Sequence, residues 1–267
     1  MGKKAPSRLP TNTKYKLYES AVQNPENDVE FMVEWYEKFN GKSPKVLRED
    51  FCGTGMISCE WAKSSDDRSA IGIDLDPEPV EIGKERHYSK LSEDAQKRVE
   101  YKLENVLSAE NCKADCIAAF NFSYFIFKKR SQLVEYFTSA RKSLNPGGVF
   151  FIDLFGGTEC HQELEEETEH DKFSYYWDCD KFNAITGEAK YAIHFEHKGR
   201  KYKNVFTYDW RHWSLPELMD ILEDAGFTER TPFWEGDDDD GTGDGEFYIA
   251  SDEENCESWV TYIAARP

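Results

Sequence analysis

The stretch "VLREDFCGTG", residues 46–55, runs from an apolar start through three consecutive charges into a glycine-bearing turn, and "TGMISCEWAKS" after it carries a helical pattern. Strand, turn and helix in that order are the opening of an open α/β sheet. Side chains alternate along a strand, so Arg48 and Asp50 share a face and are expected to neutralise each other, with direct contact to substrate or cofactor as the alternative. Gly53 and Gly55 let the backbone come close to a ligand, and the helix start behind them adds partial positive charge. The next strand, "SAIGIDL", ends at Asp74, which lies about 20 residues past the turn, where an acid can take both hydroxyls of a ribose.

Working outward, strands and helices alternate: "PEPVEIGKERHYSKL" is a helix, "VEYKLE" and "DCIAAFNFS" are strands, "KRSQLVEYFTSARKSL" is a helix closed by "NPGG", and "VFFIDLF" is a strand. Such alternation predicts a parallel sheet with right-handed crossovers. Residues 13–22 and 26–40 read as two leading helices. Residues 172–210 carry aromatic, alternating runs separated by "ITGE" and "HKGRK", which predicts an antiparallel insertion of roughly three strands. A helix, "SLPELMDILEDAGF", and two closing strands follow. The expected fold is therefore α/β: a Rossmann-like, seven-stranded, mostly parallel sheet with helices on both faces, plus an antiparallel β insertion covering the active site. The expected parts are a helical segment and lid at 1–43, a core of 44–156 and 213–267, and a β-rich insertion at 157–212.

The turn also bears on the cofactor. A dinucleotide fingerprint places a third glycine three residues after the second, and that position is Ser58. S-adenosylmethionine has no phosphate and needs no such glycine. Its sulfonium and ammonium suit acids and aromatic faces, which Glu49, Asp50 and Phe51 supply. The stretch resembles motif I of the class I S-adenosylmethionine-dependent methyltransferases, acid-x-Gly-x-Gly-x-Gly. Glu49 falls on the acid, Phe51 departs from the first glycine, and Gly53 and Gly55 match the others. The resemblance implies that Asp74 binds the ribose, that Leu75 packs on adenine, and that Asn105 and Val106 meet the adenine edge. It further implies that Asn121 and Phe122 in "AFNFS" flank the methionine part. It runs from about residue 44 to 155 and resumes at "SLPELMDILEDAGF". The chain also resembles a branch of that family with "REDFCGTG", "DLDPEP" and "WSLPEL" signatures.

Two further residues are candidates for catalysis. Asp153 leaves the C-terminal edge of the sheet, where ligands bind in open α/β folds, and is a candidate for acceptor contact. Tyr15 and Tyr18 share a helix face, and Tyr18 is a candidate lid residue over the methyl group; plain packing is the alternative. The expected activity is methyl transfer from S-adenosylmethionine to a small-molecule, amine-bearing or peptide acceptor. The alternatives are a nicotinamide-dependent oxidoreductase and a non-catalytic binding protein on the same scaffold.

A net charge of −19 repels phosphate backbones and anionic lipid, so neither nucleic acid nor membrane is an expected partner. Seven cysteines form no C-x-x-C pair and are expected as reduced thiols in a cytoplasmic protein. Myristoylation is not expected, because Pro6 stands where that motif takes Ser or Thr. His194, His197 and His212 lack ligand spacing, and no metal is expected. The acidic run within 236–246 does not fit a calcium loop and reads as a solvated loop.

Overall fold

In a computed structural model of the chain, residues 8–109, 111–237 and 243–267 are described. Helices α1 (Thr11–Val22) and α2 (Pro25–Asn40) precede β1 (Val46–Asp50), α3 (Met56–Ser64), β2 (Ser69–Asp74), α4 (Pro77–Arg86), the short α5 (Glu93–Gln96) and β3 (Val99–Leu103). Then come β4 (Ala114–Ala119), α6 (Arg130–Ser143) and β5 (Leu144–Gly156). Strands β6 (Glu165–His170), β7 (Phe173–Phe182), β8 (Glu188–His197) and β9 (Lys201–Arg211) follow, and α7 (Leu215–Asp224), β10 (Glu229–Asp237), β11 (Gly243–Ile249) and β12 (Trp259–Arg266) close the chain.

The chain divides into two compact units. Of the described residues, one unit holds those up to Gln23, Phe125–Lys128 and Glu159–Trp213; the other holds those within Asn24–Tyr124, Lys129–Thr158 and Ser214–Pro267. The leading segment 1–43 is thus split rather than forming one part. Leu17 and Tyr18 of α1 pack with Ile193, Phe195 and Phe206 of the β-rich unit. Val29, Phe31, Met32, Trp35 and Tyr36 of α2 pack on the large sheet with Leu47, Cys116 and Phe151. Each helix buries its apolar stripe on a different sheet, and a shared place in the sequence does not hold them together.

The larger unit is built on a sheet of order β11-β10-β12-β5-β4-β1-β2-β3. Strands β1 to β5 pair in parallel, and β12 runs antiparallel to β5. The seven expected strands are present and β11 adds an eighth, its Ile249, Tyr248 and Phe247 opposite Phe233, Trp234 and Glu235 of β10. The acidic composition around it had masked this strand; residues 238–242 of the expected acidic loop lie outside the described residues. Alternation along β1 sends Leu47 to the α2 and α3 face, while Arg48 and Asp50 point to the opposite face, where Tyr136 of α6 lies. Helices therefore cover both faces. The last of them, α7, begins in a capping box in which Ser214 and Glu217 satisfy each other's backbone amides.

The smaller unit carries an antiparallel sheet of order β6-β7-β8-β9. Four strands are present where three were expected. The extra strand, "EEETEH", is exposed along nearly its whole length and so lacks the apolar alternation that marks a half-buried strand. Backbone pairing with β7, from Glu165 opposite Asp178 to His170 opposite Phe173, holds it. Among the described residues no helix is long and apolar enough to cross a membrane, and no disulfide joins the cysteines.

Candidate active site

The turn after β1 is held in a conformation that side chains resist. Phe51, Gly53 and Gly55 have φ of 57°, 54° and 65°. Phe51 costs about 1–2 kcal/mol there because its Cβ crowds the backbone, and its ring rests edge-on against Tyr136 at 5.6 Å. The Gly53 amide donates to Asp74 Oδ2 at 2.8 Å, and the Asp76 amide donates to Asp74 Oδ1 at 2.8 Å. Asp74 is thereby fixed at the end of β2 against the turn. A Cβ on Gly53 would meet nothing within 4 Å, so the space above the turn is open to a ligand. On its other side the turn is closely packed: a Cβ on Gly83 of α4 would lie 1.9 Å from the Thr54 carbonyl oxygen, so only glycine lets α4 approach.

A second strained turn follows β4, where Asn121 and Phe122 both have φ of 57°. Their amides donate to Asp153 Oδ2 at 2.6 Å and Oδ1 at 2.9 Å. The Tyr124 hydroxyl donates to the Asp153 carbonyl. Asp153 is 6% exposed, and each of its carboxylate oxygens accepts one backbone amide. Asp153 thus holds the turn that presents Asn121 and Phe122. Three non-glycine residues with positive φ, at the ends of neighbouring strands, form the kind of strain that persists where a fold positions a ligand.

Acidic groups gather at this edge. Glu49 does not stand free: its Oε2 accepts the Ser58 amide at 2.8 Å and the Ser58 hydroxyl. Ser58 thus has a task at the start of α3 that a third glycine could not perform. Asp28 of α2, which the sequence reading did not single out, accepts the Tyr262 hydroxyl at 2.7 Å. Burial pushes the Glu49 carboxyl up to about 8, with Asp28 and Asp74 repelling its charge. Burial likewise raises Asp153 to about 7, with Asp28 adding to the rise, and Asp28 to about 6; Asp74 is raised by burial as well. A raised carboxyl holds its proton more tightly folded than unfolded. The stability it contributes is full below the unfolded value and is lost as pH rises toward the folded one. Between about pH 4.5 and 8 these acids therefore oppose folding progressively, unless a cation joins them.

Next to Asp74 the edge turns apolar. Leu75 is 64% and Leu103 53% exposed, and Leu103 lies opposite Asp74 on β3. Asn105 spends its Oδ1 on the Leu107 amide at 3.0 Å, which leaves its amide nitrogen as the donor it can offer. Val106 turns inward, buried, and its carbonyl accepts from Arg48 Nη2 at 3.1 Å. Arg48 also donates to the Ala109 carbonyl at 2.9 Å. It meets Asp50 with two parallel bonds of 2.7 and 3.0 Å, and the Tyr136 hydroxyl completes the Asp50 carboxylate at 2.8 Å. The expected pairing of Arg48 with Asp50 is present, and it anchors the 105–109 loop. In the other unit, Tyr18 lies 4.8 Å from Phe206 and Tyr15 lies 5.8 Å from it, ring centre to ring centre. Within its own unit Tyr18 is a packing residue on β9.

Sheet order, paired strained turns and an acid fixed on a glycine turn define a Rossmann-like ligand-binding domain. Residues 52–150 match a family model described as a methyltransferase domain. No curated protein sequence matches the chain. Among solved structures, the fold is similar to a S-adenosylmethionine-dependent methyltransferase from Clostridium acetobutylicum, at a TM-score of 0.70 and 16% identity over 96% of this chain and 98% of that one. It is also similar to CalS10, an amino pentose methyltransferase from Micromonospora echinaspora solved with its cofactor bound, at a TM-score of 0.66 and 11% identity over 97% and 99%. A third likeness is the sugar N-methyltransferase KedS8 from a Streptoalloteichus species, at a TM-score of 0.61 and 13% identity over 100% and 96%.

Proposed function

We propose that this protein is a S-adenosylmethionine-dependent methyltransferase acting on a small, amine-bearing acceptor. The observation that carries the reading is Asp74, locked onto the Gly53 amide beside an open space and two exposed leucines. A carboxylate already oriented by backbone donors keeps lone pairs for two ribose hydroxyls. Leu75 and Leu103 offer apolar faces to adenine, and the Asn105 amide nitrogen suits a ring nitrogen. Asn121, Phe122 and the Gly53 backbone suit the methionine end, with Glu49, Asp28 and Asp153 supplying negative field for its cations. When bound, the cofactor supplies a methyl group already activated by its sulfonium. The protein's contribution is then alignment and water exclusion. The sugar-directed names of two structural relatives favour an amine on a small polar scaffold.

Methyl transfer from labelled cofactor into a panel of amino sugars, small amines and peptides tests this reading; incorporation only into peptides would overturn the acceptor class. Affinity should also depend on pH. The cofactor's sulfonium charge favours ionised Glu49, Asp153 and Asp28, so binding should tighten between pH 6 and 8. Its demethylated product lacks that charge and should tighten less; equal pH profiles by calorimetry would remove the acids from the account. Gly53→Ala should fold with a cost of about 1–2 kcal/mol at its positive φ and lose most cofactor binding, because its methyl enters the open space. Tyr18 stays a turnover candidate on sequence grounds, so Tyr18→Phe should lower kcat and leave cofactor affinity unchanged. An unchanged kcat would leave it as packing alone.

A further inference from the structure

The inserted β-rich unit brings His212 beside the adjacent pair Cys160 and His161, three side chains of the kinds that ligate metals. Cys160 and His161 occupy the two central positions of a tight turn closed by the Gln162 amide on the Glu159 carbonyl at 2.8 Å. His212 follows the end of β9, its amide donating to the Gly187 carbonyl at 2.8 Å. One ligand atom from each of Cys160, His161 and His212 lies within 4.8 Å of the others. The imidazoles of His161 and His212 meet edge to face at 4.9 Å, with Phe182 4.6 Å from His161 and Phe125 5.7 Å from His212. His212 is buried and His161 is exposed, so an ion has both a sheltered anchor and a way in.

We propose that Cys160, His161 and His212 form a zinc site that clips the two ends of the inserted unit together. One thiolate and two imidazoles form a donor set suited to Zn2+, and three protein ligands leave a fourth position for water. Tetrahedral Zn2+ with bonds of about 2.0–2.3 Å needs its donors about 3.5 Å apart, which modest side-chain rotations reach from the present spacing. On binding, the Cys160 thiol gives its proton to solvent as the sulfur–zinc bond forms. The ligands lie roughly 50 residues apart, so the clip closes a long loop and adds stability by restricting the unfolded chain. The aromatic neighbours lower the local polarity and strengthen the ligation.

The other group of potential ligands, Glu165, Asp178 and His194, is of a different kind. The Asn204 amide donates to His194 Nδ1 at 3.1 Å, so the ring proton sits on Nε2 and points to Asp178 Oδ2 at 3.1 Å. A nitrogen that carries a proton does not bind a metal, and that group is a hydrogen-bonded one.

Full-length protein stripped of metal and titrated with Zn2+ alone should bind tightly and melt at a higher temperature. With Co2+ alone it should give a thiolate-to-cobalt charge-transfer band and the strong visible bands of a tetrahedral site. Cys160→Ser should abolish the charge-transfer band, and His212→Ala should weaken Zn2+ affinity by at least about tenfold. Cys256→Ser, which alters an exposed cysteine, should change neither. Failure of the unaltered protein to bind either ion, or a charge-transfer band that persists in Cys160→Ser, would overturn the assignment. None of these results depends on methyl transfer.

Discussion

Asp74→Ala is expected to weaken S-adenosylmethionine binding by about 2–4 kcal/mol, because two ribose hydroxyls lose a charged acceptor in a site that partly excludes water. That is a loss of about 30- to 1000-fold in Kd. The substitution also releases the Gly53 amide, so the turn that meets the methionine end loses its tether. Asp74→Asn keeps one oxygen for Gly53 and should fall between the two. Both variants should melt within a few degrees of the parent protein. Calorimetric titration measures the effect directly; an Asp74→Ala protein that folds and binds as tightly as the parent would show that the ribose is held elsewhere.

The largest effect on stability is expected from Asp50→Ala. It leaves Arg48, fully buried, facing the Tyr136 hydroxyl and two carbonyls without its counter-charge. Removing one partner of a buried ion pair costs about 3–5 kcal/mol. For a chain of this size that corresponds to a fall of roughly 6–20 °C in the thermal midpoint. Replacing both partners, as in Arg48→Met with Asp50→Leu, should restore much of the loss, since no charge is then left buried alone. The double variant should still bind cofactor less well, because the Val106 and Ala109 carbonyls lose the guanidinium that fixes the 105–109 loop. A near-normal midpoint for Asp50→Ala would mean that Arg48 finds water or another partner.

What the sequence revealed was local. Gly53, Gly55 and Asp74 stand at fixed offsets within one strand–turn–helix–strand unit, and the structure joins Gly53 to Asp74 by a direct hydrogen bond. The Arg48–Asp50 pair was readable from alternation alone, because residues two apart share a strand face. The partners that give these residues their tasks were not readable. Asp153 meets Asn121 and Phe122, and Asp28 meets Tyr262, across separations that only the finished sheet closes. Glu49 reads in the sequence as the acid of the cofactor turn, and nothing there ties it to the Ser58 hydroxyl. Strand β6 escaped because a polar edge strand is held by backbone pairing, which leaves little mark on composition, and β11 escaped because its short apolar end, Phe247, Tyr248 and Ile249, follows an acidic run. Cys160 and His212 meet because antiparallel pairing returns the inserted chain to its starting point, a long-range result that ligand-spacing rules miss.

We assign the open space above Gly53 and beside Asp74 to S-adenosylmethionine. Side-by-side calorimetric titration of the unaltered protein with S-adenosylmethionine and with NADH tests it most directly. Saturable binding of S-adenosylmethionine, with no heat from NADH beyond dilution, is the expected result. Binding of NADH in its place, or of neither compound to protein shown to be folded, would contradict the account.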